Sequence, residues 1–363
     1  MRLLYFTEAD SPHDRRFLTS LAGTSHQVYA LRKKECQPLT PPGIIELNWP
    51  MGRPDWRHWD GWKQGKDQLR EVIDKQEFDL IHAGPIQGPA LLAALSGFQP
   101  LVTMSWGSDI LVRAKRSPWM RFATKYVLDR TKVFLGDCQT VVEEAKNYNF
   151  SEKKIVQFPW GVDLKHFSPC SGRASGQALR RSLGWDNNFI ILCNRSWFPI
   201  YGVDILAKAF VHSSDKNRTL RLILVGDGPL SEQIHTILTP VDKKVYYMGR
   251  VSKQDLPGIY CAADLFVSPS HSDGSSVSML EAMACGCPVL VSDIPSNKEW
   301  VKPDEVGKLF KDGDPISLDE KMLEMSNDPK LSEYGLGARA LAEKRANWEE
   351  NFQILLNAYQ LAV

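Results

Sequence analysis

Short apolar runs and longer stretches of helical period take turns along the whole chain. In the first half, residues 3–7, 28–31, 79–82, 100–104 and 133–135 are brief runs of the kind that a strand buried on both faces needs. Between them, 15–21, 69–75 and 90–95 place apolar residues three and four apart, which predicts helices. The second half repeats this texture, with strands predicted at 189–193, 220–225, 245–247, 265–267 and 289–291 and a helix over 202–211. Such alternation predicts parallel sheets covered by helices. At 363 residues the chain is long enough for two such domains. The expected fold class is therefore α/β, two Rossmann-like domains facing a central cleft that holds the site. A small, polar stretch at 171–176 reads as a linker, and 349–361 is amphipathic.

The stretch richest in chemistry is 263–293, ADLFVSPSHSDGSSVSMLEAMACGCPVLVSD. It reads as strand, small-residue loop, short helix and strand. Val277, Leu280 and Ala284 share a helical face, and Gly286 and Pro288 stop the helix. A small-residue loop feeding a helix N-terminus is an anion site: backbone N–H groups of Gly274, Ser275 and Ser276 could meet a phosphate, helped by the helix dipole. Asp273 in the loop and Glu281 in the helix bracket this element. Carboxylates suit sugar hydroxyls because they only accept hydrogen bonds.

These residues resemble the donor site of retaining, GT-B-fold glycosyltransferases of glycosyltransferase family 4 (glycosyl transferases group 1). That family carries Glu-Gly, a second Glu eight positions after the first, then Ala-Met-Ala-x-Gly-x-Pro-Val. This chain has Asp273-Gly274, then Glu281-Ala282-Met283-Ala284-Cys285-Gly286-Cys287-Pro288-Val289, so Asp273 stands where the family has Glu. The resemblance covers nearly the whole chain. Phe158-Pro159-Trp160-Gly161-Val162-Asp163 and Phe167-Ser168-Pro169 are similar to its interdomain segment. It implies an acceptor-binding domain over 1–168, completed by a terminal helix at 345–363, and a donor-binding domain over 169–344.

The resemblance also implies roles. Glu281 would hold the donor ribose, Asp273 would face the sugar, and Gly274, Ser275, Ser276 and Val277 would supply the phosphate-binding turn. Arg195 ends the strand 189–193, where open α/β sheets bind ligands, and would neutralise the leaving diphosphate. Tyr201-Gly202 replaces the family's Lys-Gly and brings no positive charge. Gly226 belongs to a strand-end Gly-x-Gly-Pro turn, and Gly249 and Arg250 to the segment whose backbone reads the base. In the first half, Trp106-Gly107-Ser108-Asp109 takes the place of a His-Gly-x-Asp-like motif, with Asp109 expected to line the cleft as its acidic member. His13, Arg16 and His82 are further candidates for acceptor or donor contact; Ser11 with Pro12 also reads as a plain helix cap, and His82 equally as a packed core histidine.

The implied reaction is transfer of a hexosyl group from a nucleoside diphosphate sugar to a hydroxyl on a glycan, a lipid-linked glycan or a small molecule, with retention and without a metal. Two rivals remain open on sequence: a non-catalytic nucleotide-sugar binder, kept alive by the Asp273, Tyr201 and Trp106 replacements, and a nucleotide-sugar 2-epimerase. A net charge of +1 argues against nucleic acid as a partner. No apolar run approaches the roughly 18 residues of a membrane span, and seven scattered cysteines fit a reduced compartment. The expectation is a cytoplasmic protein. A basic segment, 113–132, carries seven Lys/Arg against Asp129 alone. At helical period Arg121, Lys125 and Lys132 fall within about 40° of one another, while Trp119, Phe122 and Tyr126 take another face. This segment either docks the protein on the anionic inner face of a membrane or is a solvated face with Phe122 and Tyr126 in the core.

Overall fold

The first apolar run becomes β1, Arg2–Thr7, whose last five residues are buried. In the computed structural model, which describes residues 1–36 and 40–363, β1 pairs in parallel with β2 (Gln27–Arg32) and with β4 (Leu80–Ala83). The same sheet extends outward to β3 (Ile44–Leu47) on one side and through β5 (Leu101–Met104) and β6 (Val133–Gly136) to β7 (Ile155–Gln157) on the other. Its order is β3-β2-β1-β4-β5-β6-β7, so the direction of winding reverses between β1 and β4. The helices flanking it include Pro12–Ala22, Trp59–Gln76, Leu91–Ser96 and Pro118–Arg130. Ser11 and Ser117 cap two of these, each followed by proline at the first helical position and each accepting a hydrogen bond from the backbone amide three residues on.

A second sheet holds β8 (Phe189–Asn194), β9 (Leu220–Val225), β10 (Val245–Gly249), β11 (Leu265–Ser268), β12 (Val289–Ser292) and β13 (Gly307–Phe310). All are parallel, in the order β10-β9-β8-β11-β12-β13. Alternation along β8 feeds two cores: Ile190 and Leu192 join one face, Ile191 and Cys193 the other. The chain thus divides into two units, 1–158 with 352–363, and 159–351. The helix Trp348–Ala362 ends in the first of these, where Leu355 and Tyr359 are fully buried and the Tyr359 hydroxyl lies 2.6 Å from His82 Nδ1.

Three strands escape the sequence pattern, and all are sheet edges. β3, β7 and β13 are three or four residues long and partly exposed, so neither a long apolar run nor a clean alternation marks them. The expected linker at 171–176 is instead the interior of a helix, Pro169–Leu183, opened by a capping box between Ser168 and Ser171. Its small residues serve close packing against the helix Leu256–Ala262. A Cβ on Gly172 would lie 2.2 Å from the Pro257 carbonyl oxygen, and one on Gly176 would lie 2.8 Å from the Ala262 nitrogen.

Candidate functional site

In the second unit the winding reverses between β8 and β11, and the residues that leave their carboxyl ends meet. Arg195 follows β8. Its Nη1 donates to Ser276 Oγ and Ser278 Oγ, both at 2.9 Å, and its Nη2 donates to Asp273 Oδ2 at 2.6 Å. The guanidinium carbon also lies 4.3 Å from the centre of the Tyr201 ring, so the replacement of lysine by tyrosine supplies a face for the cation. Burial opposes the charge on Arg195, yet Asp273 beside it raises the guanidinium above its ordinary pKa. Its Nε is buried with no partner among the described residues.

The loop between β11 and the helix Val277–Ala284 is held from several sides. Ser292 Oγ donates to the Ser270 carbonyl at 2.5 Å, His271 N donates to the Ile200 carbonyl at 2.9 Å, and the buried Trp300 Nε1 donates to Ser275 Oγ at 3.2 Å. Gly202 has φ +61° and a Cβ there would sit 2.1 Å from the Pro269 carbonyl oxygen, so only glycine lets the 199–202 turn approach this loop. Gly226, at φ +114°, has its own close neighbour: a Cβ would lie 2.9 Å from the Arg195 carbonyl oxygen. Its N–H donates 2.7 Å to the Gly249 carbonyl. Gly249 itself opens onto free space, and Arg250 is exposed beside it.

Glu281 stands in the helix Val277–Ala284 and accepts from Tyr260 Oη at 2.9 Å; Tyr260 Oη in turn accepts from Asn194 Nδ2 at 3.0 Å. Val277 packs on the core below. The structure therefore brings Arg195, Tyr201, Asp273, Ser276 and Glu281 to one sheet end, with Gly226 and Gly249 alongside. Ser278, Tyr260 and Asn194 were missed from sequence. Ser278 is one serine among many, and Tyr260 comes from a helix with no local signature of chemistry.

The first unit is different. Asp109 is 4% exposed. Its Oδ1 accepts from Ser105 Oγ and from the amides of Trp106 and Ile110, and its Oδ2 accepts from the Ile86 amide, all within 3.0 Å. Burial raises its pKa, against these donors. The carboxylate is thus turned inward and ties the loop after β4 to the loop after β5. His82 is 1% exposed and edge-on to Tyr5 at 4.9 Å; burial lowers its pKa to about 3. It is a neutral core histidine at neutral pH. His13 and Trp106 are half-buried ring neighbours, 5.5 Å between centres, and Arg16 lies on the helix Pro12–Ala22.

The basic segment also departs from expectation. The helix Pro118–Arg130 ends before Lys132, so that residue does not share its face. Phe122 is 59% and Trp119 50% exposed; Ala123, Thr124, Val127 and Leu128 turn inward instead. Phe122 is not a core residue.

Two doubly wound parallel units, one with an arginine–carboxylate–serine cluster at its switch point, define a GT-B-type glycosyltransferase. The model of the family described as "Glycosyl transferases group 1" matches residues 187–328, and that described as "Glycosyl transferase 4-like" matches residues 2–138. The chain belongs to the group 1 glycosyltransferases and is a glycosyltransferase. It is 27% identical over 304 residues, 80% of this chain and 79% of the relative, to the GDP-mannose-dependent monoacylated alpha-(1-6)-phosphatidylinositol monomannoside mannosyltransferase of Corynebacterium glutamicum. It is 25% identical over 281 residues, 73% of this chain and 70% of the relative, to the UDP-Gal:alpha-D-GlcNAc-diphosphoundecaprenol alpha-1,3-galactosyltransferase of Escherichia coli. Its fold is similar to that of HepE from Anabaena, solved with UDP-glucose, at a TM-score of 0.83 and 19% identity over 99% of both chains. These findings set aside the epimerase and the non-catalytic binder.

Proposed function

We propose that this glycosyltransferase moves a sugar from a nucleoside diphosphate sugar to a hydroxyl acceptor, with retention of anomeric configuration. The observation that carries the reading is the single cluster in which Arg195, Asp273, Ser276 and Ser278 interlock beside Glu281. Arg195, a fixed cation, would meet the diphosphate at the start of the helix Val277–Ala284, where the helix dipole favours an anion. A carboxylate accepts up to about four hydrogen bonds, so Glu281 can take ribose hydroxyls in addition to Tyr260. Asp273 faces the sugar, and the backbone around Gly226, Gly249 and Arg250 borders the base. The names of the two relatives, with GDP-mannose and UDP-galactose as donors, support a nucleotide sugar here.

The reaction follows from the charges. As the bond from the anomeric carbon to the diphosphate breaks, negative charge collects on the leaving oxygen. Arg195 and the helix N-terminus are already in place to stabilise it. The same leaving oxygen takes the acceptor proton on one face of the sugar, which asks for no histidine base; Trp106 in the family's histidine position is compatible with that. Asp109 acts through the backbone it ties together and is a positioning residue. Among the described residues there is no group of three or more His, Cys, Asp or Glu that could hold a metal, and the proposed reaction uses none: activity should survive chelation by EDTA. No helix among the described residues is long and apolar enough to cross a membrane.

Calorimetry with UDP and GDP, and their sugars, tests the donor site. Glu281→Ala should abolish measurable nucleotide binding while the protein stays folded. Unchanged affinity in that variant would remove the ribose assignment. The anomeric signal of the product in proton NMR would decide retention.

A further inference from the structure

The carboxyl ends of β1, β2 and β4 carry a second constellation, far in sequence from the donor cluster. Lys33, just after β2, has its ammonium 4.8 Å from the ring centres of both Trp56 and Trp62 and 3.5 Å from Glu8, just after β1. Beside it opens a pocket of about 540 Å³, walled by Trp56, Trp59, Trp62, Leu91, Trp119 and Phe122, a volume in the range of small-molecule sites. Trp59 is 65% exposed and meets Trp119 edge-on at 6.3 Å, while Trp119 stacks on Phe122 at 5.7 Å. A continuous aromatic surface left in water marks a place that something covers.

The polar part of the lining identifies the chemistry of that occupant. It includes His58, Gln87 and Arg113, together with Arg57, whose guanidinium Asp55 already holds at 2.7 Å. The lining joins an apolar wall, with Leu91, Leu95 and Met120 beside the aromatic rings, to the Arg113 cation at its edge. Gln87 adds an independent sign. It is 2% exposed, its Nε2 donates to the Asp109 carbonyl and Thr124 Oγ1, and its Oε1 is buried with no partner among the described residues. A buried acceptor left unmade is costly, and a ligand hydroxyl would satisfy it.

We infer that this pocket receives the apolar chain of a phosphate-bearing lipid acceptor, with Arg113 meeting the phosphate. The inference rests on the transfer reading above, since it names the class of the acceptor. The probe is farnesyl phosphate, kept below its micelle concentration and titrated into the full chain by calorimetry. It should bind. Trp59→Ala and Trp119→Ala, which remove exposed side chains, should each weaken it by about tenfold or more. Arg113→Gln should weaken farnesyl phosphate and leave farnesol unchanged. UDP or GDP binding should be the same in all three variants, which shows that they are folded and separates the two sites. Absence of farnesyl phosphate binding, or equal affinity in wild type and variants, would overturn the inference. Binding to phosphatidylglycerol vesicles through Trp59 and Trp119 without farnesyl phosphate binding would overturn it too, and make the face a membrane contact. A protein that takes farnesyl phosphate but no nucleotide would lose both the transfer reading and the acceptor role.

Discussion

Arg195 reaches four other side chains at once, and the quality of those contacts depends on the planar fork of its guanidinium. Two serines take one nitrogen, Asp273 takes another, and Tyr201 lies against the face. Lysine would keep the charge but lose the fork. Arg195→Lys should therefore lower kcat by roughly a hundredfold at saturating donor; a variant within twofold of wild type would remove Arg195 from the charge-stabilising role. Asp273, one methylene shorter than the family's glutamate, is placed by that same arginine. His82 offers a residue-scale test of stability. Its folded pKa of about 3 lies below the ordinary value near 6.5, so between those values the unfolded chain binds a proton that the folded chain refuses. Stability contributed by neutral His82 is complete above about pH 6.5 and is lost as pH falls toward 3, at up to roughly 1.4 kcal/mol per pH unit. Urea melts at pH 7 and pH 5 should show a smaller loss for His82→Asn than for wild type. Equal losses would count against it.

Elements set which of these residues can meet. The helix Leu256–Ala262 delivers Tyr260 to Glu281, and it can do so because Gly172 and Gly176 let the helix Pro169–Leu183 press against its backbone. Gly172→Ala places a methyl against the Pro257 carbonyl. It should cost about 1–3 kcal/mol and weaken nucleotide binding, both measurable by denaturant melts and calorimetry. Unchanged binding would mean that Tyr260 does not help to hold Glu281. This level also shows what was legible beforehand. The strand, loop and helix from 263 to 293 could be read because buried parallel strands are apolar throughout and a Gly/Ser loop before a helix has few other uses. Glycines 172 and 176 could not: small residues look alike whether they loosen a chain or let two helices touch. Asp109 is a cleft residue by the motif that Trp106-Gly107-Ser108-Asp109 resembles, but four donors that lie within its own loop and the loop after β4 capture it. The edge strands were invisible because half-exposed triplets and quartets carry no period.

At the scale of the whole molecule, two parallel sheets share one chain in an order that is not sequential. The residues 352–363 return to the unit begun by residue 1, and Leu355, Ala358, Tyr359 and Ala362 are buried there. Removing residues 352–363 should therefore strip the first unit of buried apolar surface worth several kcal/mol at about 1.5–3 kcal/mol per large side chain. The deleted protein should melt well below the full chain in calorimetric scans, and an unchanged first transition would contradict the assignment. Donor binding acts in the other direction: a nucleotide at about 100 times its Kd should stabilise the unit that holds it by about 2.7 kcal/mol.

That return has a consequence for how the protein is made. Synthesis is vectorial, and 193 residues of the second unit, 159–351, leave the ribosome before the segment that covers His82. The unit begun first is therefore finished last. During translation its sheet waits with an uncovered face while the second unit, which is continuous in sequence, is free to fold.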